Sequence, residues 1–183
     1  QIGAHKGVHL IVEAIKQLPA RGGPVEVTIY GDLDQHAHYS RRLRDQIGTD
    51  TRIRLAGRFD NSRIAEVLGT FDATIVPSVW YENSPLAIME AHAAGRPVLT
   101  SALGGMAELV RDEVDGLHFR ASDAADLARQ IQRLREDPAL LHSLRASVRA
   151  PSSIDSEMAS LMQIYRAVLG SARRSVPYSH AGR

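Results

Sequence analysis

Residues Pro77 to Thr100 read P-S-V-W-Y-E-N-S-P-L-A-I-M-E-A-H-A-A-G-R-P-V-L-T, and the rest of the chain is organised around them. The string predicts, in order, a strand end, an exposed loop, a helix and a second strand. Ser84 suits an N-cap and Pro85 the first helical position, where its missing N–H is not needed. The free N–H groups of Leu86 and Ala87 then face outward at the positive end of the helix dipole, which favours a phosphate. Glu90 follows one and a half turns into the helix, roughly 7–8 Å along the axis at about 1.5 Å per residue. A carboxylate at that depth accepts hydrogen bonds from a sugar diol. Glu82 precedes the cap, where it approaches the other end of the same ligand. Hydroxyls on both sides of a diphosphate describe a nucleotide-sugar. For two glutamates alone, an ordinary solvated loop and helix is the competing reading.

Working outward, Val8, Ile11, Val12, Ile15 and Leu18 recur at helical spacing and predict a helix over 7–18, ended by Pro19 and Gly22-Gly23. Val25 to Tyr30, Arg52 to Leu55, Ala73 to Val76, Pro97 to Thr100 and Gly116 to Phe119 read as short strands. Between them lie predicted helices: one capped by Asp34 and carrying Tyr39, Leu43 and Ile47, and one capped by Asp60 or Asn61 and carrying Ile64, Val67 and Leu68. A short helix opens at Gly104-Gly105, and another, capped by Ser122 or Asp123, carries Leu127, Ile131 and Leu134. Pro138 starts a further helix, Pro151 marks a break, Ile154 to Leu169 reads as a last helix, and Ser171 to Arg183 as a polar, frayed tail. The division is therefore a ligand-binding domain over 1–150 and a carboxyl-terminal helix and tail over 151–183. Alternating strands and helices imply an α/β fold with a mostly parallel sheet covered on both faces. Ligands of such folds bind beyond the carboxyl ends of the strands, where the 77–100 loop falls.

Composition bounds the function. The 183 residues are 44% hydrophobic and 23% charged, with a net charge of +1, so neither nucleic acid nor an anionic membrane is an obligatory partner. There is no cysteine, hence no disulfide framework or thiolate metal site, consistent with a reducing compartment. No apolar run approaches the roughly 20 residues of a membrane span. The expected location is cytoplasmic, with peripheral association at the inner membrane surface in the full-length protein as an option. The chain begins at Gln1 inside an apparent loop and reads as a piece of a longer polypeptide.

Glu82 and Glu90, seven residues apart, form an E-x7-E pattern. With P-S before it, E-A-x-A-A-G-x-P-V after it, then G-G-x-x-E-L-V, D-G-L-H-F and an early K-G-V-H-L-I-V-E-A-I, this ordered set resembles the group 1 (family four) retaining glycosyltransferases. The resemblance implies a doubly wound, Rossmann-like domain forming one half of a GT-B architecture, the carboxyl-terminal half that binds a nucleotide-diphosphate sugar. It implies transfer of the sugar to an acceptor hydroxyl with retention of anomeric configuration. The acceptor, a sugar or lipid-linked glycan, would be bound by an amino-terminal domain outside this sequence, and the fragment alone would transfer little. No cofactor and no essential metal are implied. The family's domain starts with a strand just upstream, near the middle of the sheet; if it is absent the sheet lacks an inner member, and either it lies in residues outside this sequence or something else occupies its place.

By the same resemblance Glu90 bonds the donor ribose, Glu82 lies by the sugar and its anomeric carbon, and Lys6 neutralises the departing diphosphate. Asn83, Ser84, Pro85, Leu86 and Ala87 form the loop and cap over phosphate and sugar. Gly3 belongs to the loop before Lys6, and Arg58, in the Gly57-Arg58-Phe59 turn, touches the nucleotide. Many relatives carry an Arg a few residues before the Lys. Here Gln1 occupies that place, which brings a hydrogen-bond donor without charge.

Other signals carry less. Asp32-Leu33-Asp34 spells D-x-D, a metal motif in a different glycosyltransferase fold, but its place between a strand and a helix reads as capping. His36-x-His38 lacks a third ligand at zinc spacing. His92 points away from Glu90. Arg41, Arg42 and Arg44 read as a solvated helix face, and Trp80 and Tyr81 either line the cleft or pack the loop. Outside transferases, a same-fold epimerase, a non-catalytic nucleotide-sugar binder and a signalling domain are the alternatives.

Overall fold

The computed structural model describes residues 2–172, so Gln1 and the tail from 173 onward lie outside the described residues. The chain falls into two units, Gln1–Ala150 and Pro151–Arg183. The first holds five short parallel strands: β1 (Val27–Tyr30), β2 (Ile53–Gly57), β3 (Thr74–Val76), β4 (Val98–Ser101) and β5 (Gly116–Phe119). Its helices are α1 (Val8–Gln17), α2 (Ala37–Ile47), α3 (Ile64–Gly69), α4 (Leu86–Ala93), α5 (Gly104–Leu109), α6 (Ala124–Glu136) and α7 (Pro138–Ser147). Short 3-10 turns at Ala4–Lys6 and Asn61–Arg63 lead into α1 and α3. The second unit holds α8 (Ile154–Ala172), which runs past the expected Leu169 and takes in Ser171.

The sheet departs from the expected single ribbon. β1 pairs only with β2, and β3, β4 and β5 form a separate three-stranded sheet in that order. Among the described residues no strand joins the two. Side-chain packing makes one core across the division. Ile29 and Ile53 from the first sheet and Leu99, Leu117 and Phe119 from the second share it with Val12 and Ile15 of α1 and Leu127, Ala128 and Ile131 of α6. The helical periodicity of α1 thus finds its partner in α6, and each fully buried Leu or Ile adds about 1.5–3 kcal/mol.

Helix starts follow carboxylates. Asp60 accepts from the Ser62 N–H, Asp123 from that of Asp126 and Asp137 from that of Leu140, with Pro138 in the first helical turn. Asp34 does not cap α2. The carboxylate of Asp32 takes the N–H groups of Asp34 and Gln35 at 2.9 and 3.2 Å, so that turn is satisfied locally and the helix begins later, after His36. Among the described residues no helix is long and apolar enough to cross a membrane.

Candidate functional site

Helix α4 is seated by its own small core, in which Ile88, Ala91, Val98, Met106 and Val110 are buried together. Its N-cap is Pro85, with extended backbone (φ −69°, ψ 109°), and not Ser84. Because Pro85 is still outside the helix, Ser84 lies one residue too far back to cap it, and its hydroxyl turns to Met89 Sδ at 3.5 Å. The Ile88 N–H reaches the Pro85 carbonyl at 3.0 Å. The Leu86 and Ala87 N–H groups are left at the open end with no side-chain cap. The uncapped amides expected at this helix start are therefore present, with Pro85 and not Ser84 as the N-cap.

The loop preceding α4 is pinned from two sides. The Gly105 N–H donates to the Glu82 carbonyl at 3.0 Å, and a Cβ on Gly105 would lie 2.2 Å from the Asn83 carbonyl oxygen and 2.6 Å from that of Glu82. On the other side Gly7, at φ 66°, turns the chain from the Ala4–Lys6 turn into α1, and a Cβ there would lie 1.9 Å from the Pro77 carbonyl oxygen. Only glycine allows both approaches. The His5 carbonyl accepts from the Val79 N–H and from Ser78 Oγ, each at 3.0 Å, which ties the turn to the loop after β3.

That tie brings together two residues 76 positions apart: Lys6 Nζ donates to Glu82 Oε1 at 2.6 Å. Ser78 Oγ donates to the same oxygen at 2.9 Å. Burial pushes the Glu82 carboxyl up, but the hydrogen bonds from Lys6 and Ser78 and the charges of Lys6 and His5 outweigh it and leave it below the ordinary glutamate value. Glu90, partly buried on α4, has no such support among the described residues. Burial alone raises its carboxyl.

Arg58 is ion-paired to Asp32 beside an open hollow of about 300 Å³ lined by Gly31, Asp32, Gln35, Arg58 and Phe59, at the carboxyl ends of β1 and β2. This places Arg58 by a cavity and uses Asp32, half of the D-x-D string, as its partner. Gly3 precedes the Ala4–Lys6 turn with extended backbone, and its carbonyl accepts from the Lys6 N–H at 3.0 Å. Asn83, Ser84 and Ala87 are exposed, Pro85 is buried, and Leu86, Trp80 and Tyr81 are 66%, 66% and 69% exposed. His92 is buried on α4. No group of three or more His, Cys, Asp or Glu among the described residues is arranged to hold a metal. Sequence reasoning did not single out Ser78, Gly7 or Gly105, although the P-S, K-G and G-G pairs that contain them were in view.

Comparison with known proteins adds to this geometry. The family model of glycosyl transferases group 1 matches residues 1–150. A glycogen synthase of Mycobacterium tuberculosis (strain CDC 1551 / Oshkosh) is 29% identical over 179 residues, covering 94% of this chain and 42% of that protein. Anabaena Alr3699/HepE, solved in complex with UDP-glucose, is similar with a TM-score of 0.73 and 26% identity, covering 81% of this chain and 40% of that one. The C-terminal domain of a glycosyl transferase group 1 family protein (LpcC) from Francisella tularensis shares the fold, with a TM-score of 0.66, 19% identity, and coverage of 80% and 77%. The chain thus spans less than half the length of the glycogen synthase and of HepE.

Proposed function

The chain belongs to the group 1 glycosyl transferases, and from that premise we propose that residues 1–150 are the donor-binding half of a GT-B enzyme that moves a sugar from a nucleotide diphosphate to an acceptor hydroxyl with retention of configuration. The observation that carries the proposal is the Lys6–Glu82 contact, with the Leu86 and Ala87 amides uncapped at the start of the helix that follows the Glu82 loop. A cation and two uncapped N–H groups are the donors a diphosphate calls for, and in the sequence Glu82 and Glu90 flank the helix start.

In this reading the diphosphate draws Lys6 from Glu82 and takes the Leu86 and Ala87 amides. Glu90, now unpaired, accepts the ribose hydroxyls. Glu82, released, faces the sugar and its anomeric carbon, and the Asn83–Ser84–Pro85 loop closes over both. The hollow by Arg58 receives the nucleoside, while Gly3 sets the turn that presents Lys6. Negative charge that builds on the leaving diphosphate is met by Lys6 and by backbone amides already in place, so no essential metal is invoked. The acceptor hydroxyl attacks from the face the diphosphate leaves, and the departing phosphate takes its proton. Residues 1–183 bind donor but transfer little, because the acceptor, a sugar or lipid-linked glycan, is held elsewhere in the full-length protein. A cytoplasmic location, with peripheral membrane association at most, belongs to the same reading.

Calorimetric titration with UDP-, GDP- and ADP-sugars tests it. One nucleotide binds selectively, and Glu90→Ala weakens it about tenfold to a hundredfold, as loss of hydrogen bonds to a charged group of about 1.5–3 kcal/mol requires. Equal binding by Glu90→Ala, or no binding of any nucleotide-sugar by the folded full-length protein, overturns the proposal.

A further inference from the structure

Ser78 is 1% exposed, and its hydroxyl stands between two acceptors, Glu82 Oε1 at 2.9 Å and the His5 carbonyl at 3.0 Å. A serine hydroxyl has one hydrogen to give. Lys6 Nζ also donates to Glu82 Oε1 at 2.6 Å, so that oxygen is doubly served. The His5 carbonyl is likewise doubly served, since the Val79 N–H donates to it at 3.0 Å. The hydroxyl therefore turns from one acceptor to the other without leaving a buried group unpaired.

We propose that Ser78 is a positioning residue for sugar transfer: it holds the Glu82 carboxylate in place and ionised when Lys6 leaves for the donor diphosphate. The proposal rests on the donor-site reading above. Once Lys6 moves, Glu82 keeps its burial and loses its nearest cation, and a partly buried carboxylate in that state takes up a proton or swings away. The Ser78 hydroxyl, rotated fully onto Oε1, prevents both, and the Val79 amide keeps the His5 turn in register meanwhile. The charged groups that face Glu82 are Lys6 and His5, both from the Ala4–Lys6 turn region. From α5 it meets the Gly105 N–H, which binds the Glu82 main-chain carbonyl and leaves the carboxylate to the serine. Burial raises the Glu82 carboxyl and the Lys6 and Ser78 hydrogen bonds lower it, so with Lys6 gone Ser78 is the remaining hydrogen bond that opposes burial.

The test separates this role from donor binding. Lys6→Met imitates the departure of the cation with no ligand present, and the Glu82 side-chain carboxyl is titrated by carbon NMR in Lys6→Met and in Lys6→Met/Ser78→Ala. The midpoint in the double variant lies about one pH unit higher, a tenfold change in protonation, as loss of a hydrogen bond to a charged acceptor demands. Ser78→Cys, of similar size but a weak donor, gives a smaller rise in the same direction and serves if the alanine variant does not fold. Equal midpoints overturn the proposal. In turnover of the nucleotide-sugar that binds, Ser78→Ala lowers kcat about tenfold and moves the acid limb of its pH profile upward, with donor KM within about twofold. An unchanged kcat and acid limb, or a loss confined to KM, overturns it as well. A wild type that binds no nucleotide-sugar overturns the donor-site reading and the transfer role with it, while the titration pair still decides whether Ser78 holds Glu82.

Discussion

Gly105→Ala is the sharpest probe of how the site is held, because the added methyl has a known obstacle. Its Cβ would fall 2.2 Å from the Asn83 carbonyl oxygen and 2.6 Å from that of Glu82. Ordinary contact between non-bonded heavy atoms lies near about 3.5 Å. Backbone stands on both sides of the clash, so the 82–83 loop or the start of α5 must retreat by roughly 1 Å. That motion stretches the 3.0 Å bond from the Gly105 N–H to the Glu82 carbonyl. A lost hydrogen bond costs about 0.5–1.5 kcal/mol and forced repacking about 1–3 kcal/mol, so stability falls by about 2–4 kcal/mol. On the proposed donor-site reading, sugar transfer by the full-length protein falls further than stability, because a misplacement of about 1 Å at a reacting group costs about a hundredfold. Gly69→Ala, at the end of α3 with nothing within 4 Å of the new Cβ, is the matched control. It is neutral or stabilising by up to about 1 kcal/mol. Urea unfolding of both variants, with donor binding and turnover, decides the matter. A Gly105→Ala protein as stable and as active as Gly69→Ala refutes the claim that this glycine carries the Glu82 loop.

Two further outcomes follow from other parts of the fold. His92 is buried with its Nε2 atom unpartnered, and burial holds the imidazole below its ordinary value of 6.5 despite the nearby Asp115. The unfolded chain then binds a proton that the native state refuses, so stability is complete above that value and declines as pH falls below it toward the folded pKa. Urea midpoints at pH 7.5 and pH 5.5 show this decline in the wild type and a smaller one in His92→Leu; equal declines would remove His92 as the cause. Asp137→Ala deletes the carboxylate that caps α7 at the Leu140 N–H, 3.0 Å away, and costs about 0.5–2 kcal/mol by thermal unfolding. No change in melting would mean that the α7 start is held by its packing alone.

Local chemistry was legible in the sequence wherever one residue decides it. Asp123 caps the helix it was expected to cap, and Asp60 caps the 3-10 turn that leads into its expected helix, because a short carboxylate beside a helix start needs no distant partner. Asp137, just ahead of the expected start at Pro138, adds a cap of the same kind. The apolar spacing of α1 identified its buried face for the same reason. Ser84 and Asp34 failed where two candidates competed within a turn. Pro85 stayed extended and displaced the cap by one residue, and Asp32 satisfied the amides that Asp34 was expected to prepare. The division into two sheets was less visible, since strand pairing is a long-range choice that periodicity does not record. Lys6 and Glu82 were both picked out, but for a ligand between them, Lys6 for its diphosphate and Glu82 for its sugar, and not for each other. Their direct contact depends on the Gly7–Pro77 approach and on the bonds to His5, and neither is written in local spacing.

The division between the sheets also bears on the order in which the molecule assembles. Val27 of β1 pairs with Ile53 of β2, and Val98 of β4 with Thr74 of β3 and Gly116 of β5, so each sheet closes over a short span of chain. Contacts across short loops form early, since closure entropy grows with loop length. Lys6 precedes both sheets in the chain, and Glu82 follows β3 of the second. The cation and the carboxylate, 76 residues apart, therefore meet across a long span, at the joint where the Lys6 turn docks on the loop after β3 through the bonds to His5. Such a joint is late to form and early to loosen. A small opening there separates Lys6 from Glu82 while both sheets remain intact, so the chain can lose its site well before it loses its fold.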